Sequence, residues 1–139
     1  MNGNISKNQN FERMCLIASG GERVAEEDIP VVKYLRKVDD GGYETPCQWE
    51  YVHESEISGF MPFVARGMEV VRRTFEKDKL EVSGGFVHSF REGSLEAALF
   101  NLRGELECFR CVIPKGTRYW VSETEQEYAS KSLKFVKKC

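Results

Sequence analysis

The sequence predicts an α+β domain: a mostly antiparallel β-sheet with one main α-helix, at about 94–103, packed on it. Three observations lead there. Short runs rich in branched and aromatic residues recur between turn signals, at 30–38, 80–90, 105–113, 117–121 and 133–136. One segment joins a good N-cap to a helix-period apolar stripe. The length, 139 residues, suits a single domain and is enough to bury a core without disulfides.

In chain order, residues 1–13 are rich in Asn, Ser and Lys without a period, and read as a disordered or loosely attached lead to a single domain at 14–139. The apolar pattern starts at Met14-Cys15-Leu16-Ile17, and Met14 is a candidate alternative start. Along 30–38, Val31, Lys33, Leu35 and Lys37 share one face and Val32, Tyr34, Arg36 and Val38 the other, as in a strand partly covered on both faces. Asp39-Asp40-Gly41-Gly42 is a turn signal, and Thr45-Pro46 opens a loop that leads to Trp49 and Tyr51.

Residues 80–90 read as one strand broken or bent at Ser83-Gly84-Gly85, with Phe86, His88 and Phe90 on a common face. Ser94 is the N-cap; Leu95, Ala98, Leu99 and Leu102 form the helix stripe and Gly104 is a stop. Residues 105–113 and 117–121 flank Pro114-Lys115-Gly116 and suggest a hairpin. Residues 123–127 form a charged loop, and 133–136 is the closing strand.

Composition narrows function without naming it. Twenty basic and 22 acidic side chains give a net charge of −2, so no overall basic character argues for nucleic acid. Lys131, Lys134, Lys137 and Lys138 form the one dense basic cluster, which reads as a solvated strand end. No apolar run approaches the length of a membrane span. The polar opening MNGNISKNQNFER has no signal-peptide core, so a cytoplasmic location is expected. In that compartment all five cysteines are expected to be free thiols.

Three stretches, MCLIASGGERVAEEDIPVVKYLRK, SGGFVHSFREGSLEAALF and CVIPKGTRYWVSETEQEYASKSLKFV, together resemble a group of small proteins of gut (Bacteroides-type) bacteria and their phages. That group carries a "GFHSF" strand before a helix and a closing "IPKGTKYY … YAS" segment. Here Val87 stands between Phe86 and His88. No activity comes with the resemblance; it implies an accessory role in a phage or mobile element. It also bears on 61–76, where Val64, Met68, Val71 and Phe75 would suit a helix stripe, but Gly67 would cost a helix about 1 kcal/mol. The group's glycine-led extended segment before "GFHSF" favours strand at 67–75.

Ile113 to Val121, IPKGTRYWV, is also similar to the "LPxGTxFxV" strand pair of arginine-specific ADP-ribosyltransferase toxins. Those enzymes bind NAD with an arginine on an early strand, a Ser-Thr-Ser strand and a Glu-x-Glu before the proline turn. Arg36, Ser89 and Glu105-Leu106-Glu107 are partial echoes. Glu107 lies seven residues before Pro114, too far for the toxin pattern, and Ser-Thr-Ser is missing.

Other constellations are weaker. Cys108-Phe109-Arg110-Cys111 has the spacing of half a zinc site, but strand positions i and i+3 face opposite ways and a second pair is missing. His88 is a candidate proton carrier, because histidine as a residue type titrates near neutral pH, yet a packed histidine bonded within the sheet is the simpler expectation. Lys115, Arg118, Tyr119, Trp120 and Tyr128 make the best group, two cations and three aromatics able to hold a nucleotide-like or anionic ligand. No phosphate-cradling or dinucleotide glycine fingerprint is present, and no cofactor is implied. The expectation is a non-catalytic binding or interaction module for a small ligand or protein partner, with His88, Lys115, Arg118, Tyr119 and Tyr128 as binding residues. Exposed sheet edges would permit a homodimer. The alternatives are an ADP-ribosyltransferase-like NAD-binding domain, active or decayed, and a zinc-stabilised module.

Overall fold

The computed structural model describes residues 16–39, 41–46, 50–58, 61–76, 78–102 and 105–139. The lead at 1–13, the start at Met14 and the readings placed on Cys15, Asp40, Cys47, Trp49 and Gly104 lie outside the described residues. Strands dominate, and every described strand pair is antiparallel. They are β1 (Leu16–Ala18), β2 (Arg23–Val24), β3 (Ile29–Asp39), β4 (Gly42–Glu44), β5 (Tyr51–His53), β6 (Phe63–Val64), β7 (Val71–Arg73) and β8 (Leu80–Val82). β9 (Val87–Arg91), β10 (Glu107–Ile113), β11 (Arg118–Val121), β12 (Glu127–Ser130) and β13 (Ser132–Lys138) follow, with α1 (Glu54–Ser58) and α2 (Leu95–Asn101).

The large sheet runs β2-β11-β12-β9-β3-β10-β13-β6, with β4 and β5 extending off β3. β12 and β13 are separated by three strands, yet one residue, Lys131, joins them. In a flat sheet four strand spacings cover about 19 Å. Two peptide units reach about 7 Å. The sheet therefore rolls until β11 and the end of β6 meet at Lys131. The Lys131 N–H donates to the Arg118 carbonyl of β11 at 3.0 Å, and its carbonyl accepts from Ala65, just past β6, at 2.8 Å.

The inside of the roll is the main core. Val31 and Leu35 of β3, Val87 of β9, Phe109, Cys111 and Ile113 of β10, and Leu133 and Phe135 of β13 are all buried there. Phe109 meets Phe135 edge-on at 5.8 Å and Tyr43 at 5.3 Å, geometries that suit the ring quadrupoles. Lys33 alternates with Val31 and Leu35 and is buried with them. Its Nζ donates to the His88 carbonyl at 2.6 Å, one residue beyond Ser89 where the β3–β9 pairing has stopped. Outside the roll, the small sheet β1-β8-β7 packs Leu16, Ala18 and Val82 against Phe86, Trp120 and Ala129.

α2 forms where the N-cap predicts: the Ser94 hydroxyl accepts from the Ala97 N–H at 3.1 Å. It packs on the sheet through Ala97 and Phe100, which join Val32, Tyr34 and Phe90. The expected stripe faces the other way: Leu95, Leu99 and Leu102 are 67%, 55% and 80% exposed. α1 was not expected from the sequence. It starts on a reciprocal cap in which the His53 ring accepts from the Ser55 N–H and the Glu56 carboxylate accepts from the His53 N–H.

Three other expectations change. The strands at 105–113 and 117–121 exist but are not a hairpin, because β10 pairs with β3 and β13 while β11 pairs with β12 and β2. The Pro114–Gly116 turn docks instead on the loop after β2: the Lys115 N–H donates to Asp28 and the Gly116 N–H to the Ala25 carbonyl. The cysteines are not all free thiols. Cys108 and Cys139 form a disulfide with Cα atoms 5.3 Å apart, and Cys111 is a buried thiol. Within 61–76 the chain holds two short strands, β6 and β7, and no helix among its described residues.

The 80–90 run breaks at Ser83–Phe86 and delivers β8 and β9 to different sheets. Gly85 takes φ +74° there, and a Cβ on it would come within 2.5 Å of the Glu69 backbone, which crosses over the glycines. Gly85→Ala is therefore expected to cost about 1–3 kcal/mol from backbone strain alone, and more from the clash; urea unfolding measures it. Phe109→Ala, which empties the centre of the roll, is expected to cost about 3–5 kcal/mol in the same assay.

Candidate functional site

Strand alternation sorts the sequence-predicted residues onto two faces. Arg118 and Tyr119 are neighbours in β11, so their side chains leave on opposite sides. Tyr128 lies diagonally from Tyr119 across the β11–β12 pair, and the rings meet with centroids 6.1 Å apart. Both rings are half-buried against the main core. His88 pairs with Ala129, and Ala129 with Trp120, which puts His88 on the face of Arg118. Lys115 is exposed in the turn before β11. The structure thus joins Tyr119 to Tyr128 and parts both from Arg118 and His88.

His88 is buried and held at both ring nitrogens: Nε2 faces the Ser83 carbonyl at 3.1 Å and Nδ1 faces Glu127 at 3.3 Å. With Nε2 donating to Ser83, the ring ties the β8–β9 break to β12.

Arg118 is also committed. Its guanidinium grips Glu22 through Nε and Nη2 at 3.1 and 3.0 Å, and Nη2 also reaches Glu69 at 2.8 Å. The other Glu69 oxygen binds Lys131 Nζ at 3.1 Å, and Lys131 donates to the Gly85 carbonyl at 2.9 Å. Hydrogen bonds from Arg118, then Lys131, hold the Glu69 carboxyl below the usual carboxylate range. The two glutamates hold the Arg118 guanidinium's proton more tightly still. This chain of charges pins the segment that crosses Gly85 to the joint of the roll.

The tyrosine face is different. Arg23 of β2 pairs directly with Tyr119, and Arg91 of β9 lies on the same face two residues beyond Ser89, the direct partner of Tyr128. A row Arg23–Tyr119–Tyr128–Arg91 therefore crosses four adjacent strands. Burial pushes the Tyr128 phenol up, while the positive charges of Arg91 and Arg23 act in the opposite direction. Both arginines are exposed, and among the described residues neither forms an ion pair. Ser89 is fully buried, and its hydroxyl has no hydrogen-bond partner among the described residues. Sequence reading missed Arg23 and Arg91; alternation from Tyr119 and Tyr128 would have found them only with the strand order in hand.

Among the described residues, the zinc and ADP-ribosyltransferase echoes do not come together. Cys108 is bonded to Cys139, and burial pushes the Cys111 thiol up to about 12. No three metal-ligating side chains converge among the described residues. Arg36 pairs with Glu44 on the face opposite Ser89, and Glu107 pairs with Lys138. A separate cleft of about 630 Å³ opens between Ser19–Gly21 and the β7–β8 turn, where Phe75 and Lys79 line it. None of the predicted binding residues reaches it. No helix among the described residues is long and apolar enough to cross a membrane.

Compared with protein-family models, curated proteins and solved structures, the chain matches none of them.

The charge chain gives a pH prediction. Because the folded-state value of Glu69 is depressed, its contribution is present above its ordinary value of 4.5 and is lost as pH falls through the lower folded value. Glu69→Gln is expected to lower stability at neutral pH and to flatten the stability curve below pH 4.5. Chemical denaturation of both proteins between neutral pH and strong acid checks it; identical acid limbs would contradict the assignment.

Proposed function

We propose that this chain is a non-catalytic binding module that receives an anionic, flat ligand on the Arg23–Tyr119–Tyr128–Arg91 row. The observation that carries the reading is the row itself: two half-buried tyrosine rings between two exposed, unpaired arginines on neighbouring strands. Ring faces supply stacking area at small entropic cost, and guanidinium groups at the ends suit carboxylate or phosphate. The Arg118 charge, by contrast, is already met by Glu22 and Glu69. Lys115 stays in the proposal as an outlying cation in the turn leading to β11. His88 acts at a distance, by fixing β9 against β12. The resemblance to small proteins of gut bacteria and their phages supports an accessory role in a phage or mobile element.

Calorimetry with a nucleoside monophosphate and with a simple aromatic carboxylate as probes tests the reading. Each hydrogen bond to a charged group is worth about 1.5–3 kcal/mol, so removing one arginine is expected to weaken binding about tenfold or more. Arg23→Ala and Arg91→Ala should each show this loss, while Arg118→Ala leaves affinity near that of the parent. Affinity unchanged in the double variant Arg23→Ala/Arg91→Ala, or no binding of either probe, would remove the proposal.

A further inference from the structure

We infer that the Cys108–Cys139 disulfide is a thiol-exchange site whose opening by a low-molecular-weight thiol releases the end of β13 from β10. The clamp is local. The β10–β13 ladder shifts register between Arg110 and Cys111. Beyond that shift, β13 is held by the pairs Arg110↔Lys137 and Phe109↔Lys138, by the Glu107–Lys138 ion pair and by the disulfide. The Cys139 N–H donates to the Cys108 carbonyl at 2.9 Å, so the cross-link and the last ladder bond support each other. Residues 136–139 are exposed.

The two cysteines differ in exposure. Cys139 is an exposed residue, while Cys108 is half-buried against the cluster of Val32, Tyr34, Phe90, Ala97 and Phe100. A small thiolate therefore attacks the Cys139 sulfur, forms a mixed disulfide there and expels the Cys108 sulfur as thiolate. A second small thiolate attacks the small-molecule sulfur of that mixed disulfide and expels the Cys139 thiolate. Both protein thiolates take up the protons released by the two small thiols. The balance is one protein disulfide reduced by two electrons and two small thiols oxidised to their disulfide. The buried Cys111 thiol does not compete. Opening frees residues 137–139 and bares the edge of β10 at Glu107–Arg110, whose backbone groups then lack ladder partners on that side.

The test uses the full chain purified without reductant. Alkylation and peptide mass mapping are expected to find Cys108 and Cys139 protected before treatment and reactive after the monothiol 2-mercaptoethanol, with the transient mixed disulfide on Cys139. Amide hydrogen exchange at Cys139 should then rise about tenfold or more, while core amides of β3 change little. Cys139→Ser without reductant should match the reduced parent at the Phe109 and Lys138 amides; the substitution sits at an exposed position and leaves the core untouched. Free thiols at both positions before reduction, a mixed disulfide on Cys108 instead, or an unchanged Cys139 amide after reduction would each overturn the inference.

Discussion

A single residue sets the shape of this molecule. Lys131 is all that separates β12 from β13, though three strands lie between them in the sheet. No flat sheet can satisfy both facts, so the sheet curls until its two arms share one joint. The Lys131 peptide serves both: its N–H completes the ladder with β11 while its carbonyl takes the amide that follows β6. A sheet rolled this way has an inside, and the inside is where Phe109, Phe135, Leu133 and Leu35 find a common core. The chain thereby covers one sheet face without a second sheet or a long helix, which suits a sequence with so little helix.

The same joint organises the charges. The Lys131 side chain is drawn to Glu69, Glu69 to Arg118, and Arg118 to Glu22. Exposed ion pairs each contribute little to stability. Their effect here is positional: they hold the crossing segment over Gly84 and Gly85, and at Gly85 the Glu69 backbone comes too close for any side chain. Core burial stabilises the roll; the charge chain fixes what lies across it. Because that chain occupies Arg118, the cations left open to solvent beside the tyrosines are Arg23 and Arg91.

Much of the fold was legible in the sequence. Alternation along β3 correctly put Val31 and Leu35 on one face and Val32 and Tyr34 on the other, and these now belong to separate clusters. Ser94 marked the start of α2. What was not legible came from long-range pairing. Pro114–Gly116 has the chemistry of a hairpin turn, but the partners of β10 are distant in sequence, and local residues carry no sign of them. The α2 stripe misled because Leu95, Leu99 and Leu102 are apolar yet face outward, while two residues, Ala97 and Phe100, make the contact. The disulfide was hidden because neither composition nor spacing ties Cys108 to a residue 31 positions away. The grouping of Arg118 with Tyr119 is a different matter: adjacent strand residues diverge, and that rule needs no coordinates.

Amide hydrogen exchange at Lys131 and Ala65 tests the rolled sheet most directly. If the two arms meet at the joint, the Lys131 amide is bonded to the Arg118 carbonyl of β11 and the Ala65 amide to the Lys131 carbonyl, and both exchange as slowly as the flanking strand amides. If β12 and β13 are instead linked by an open turn on a flat sheet, the Lys131 and Ala65 amides exchange at the rate of exposed loops while the flanking strands stay protected.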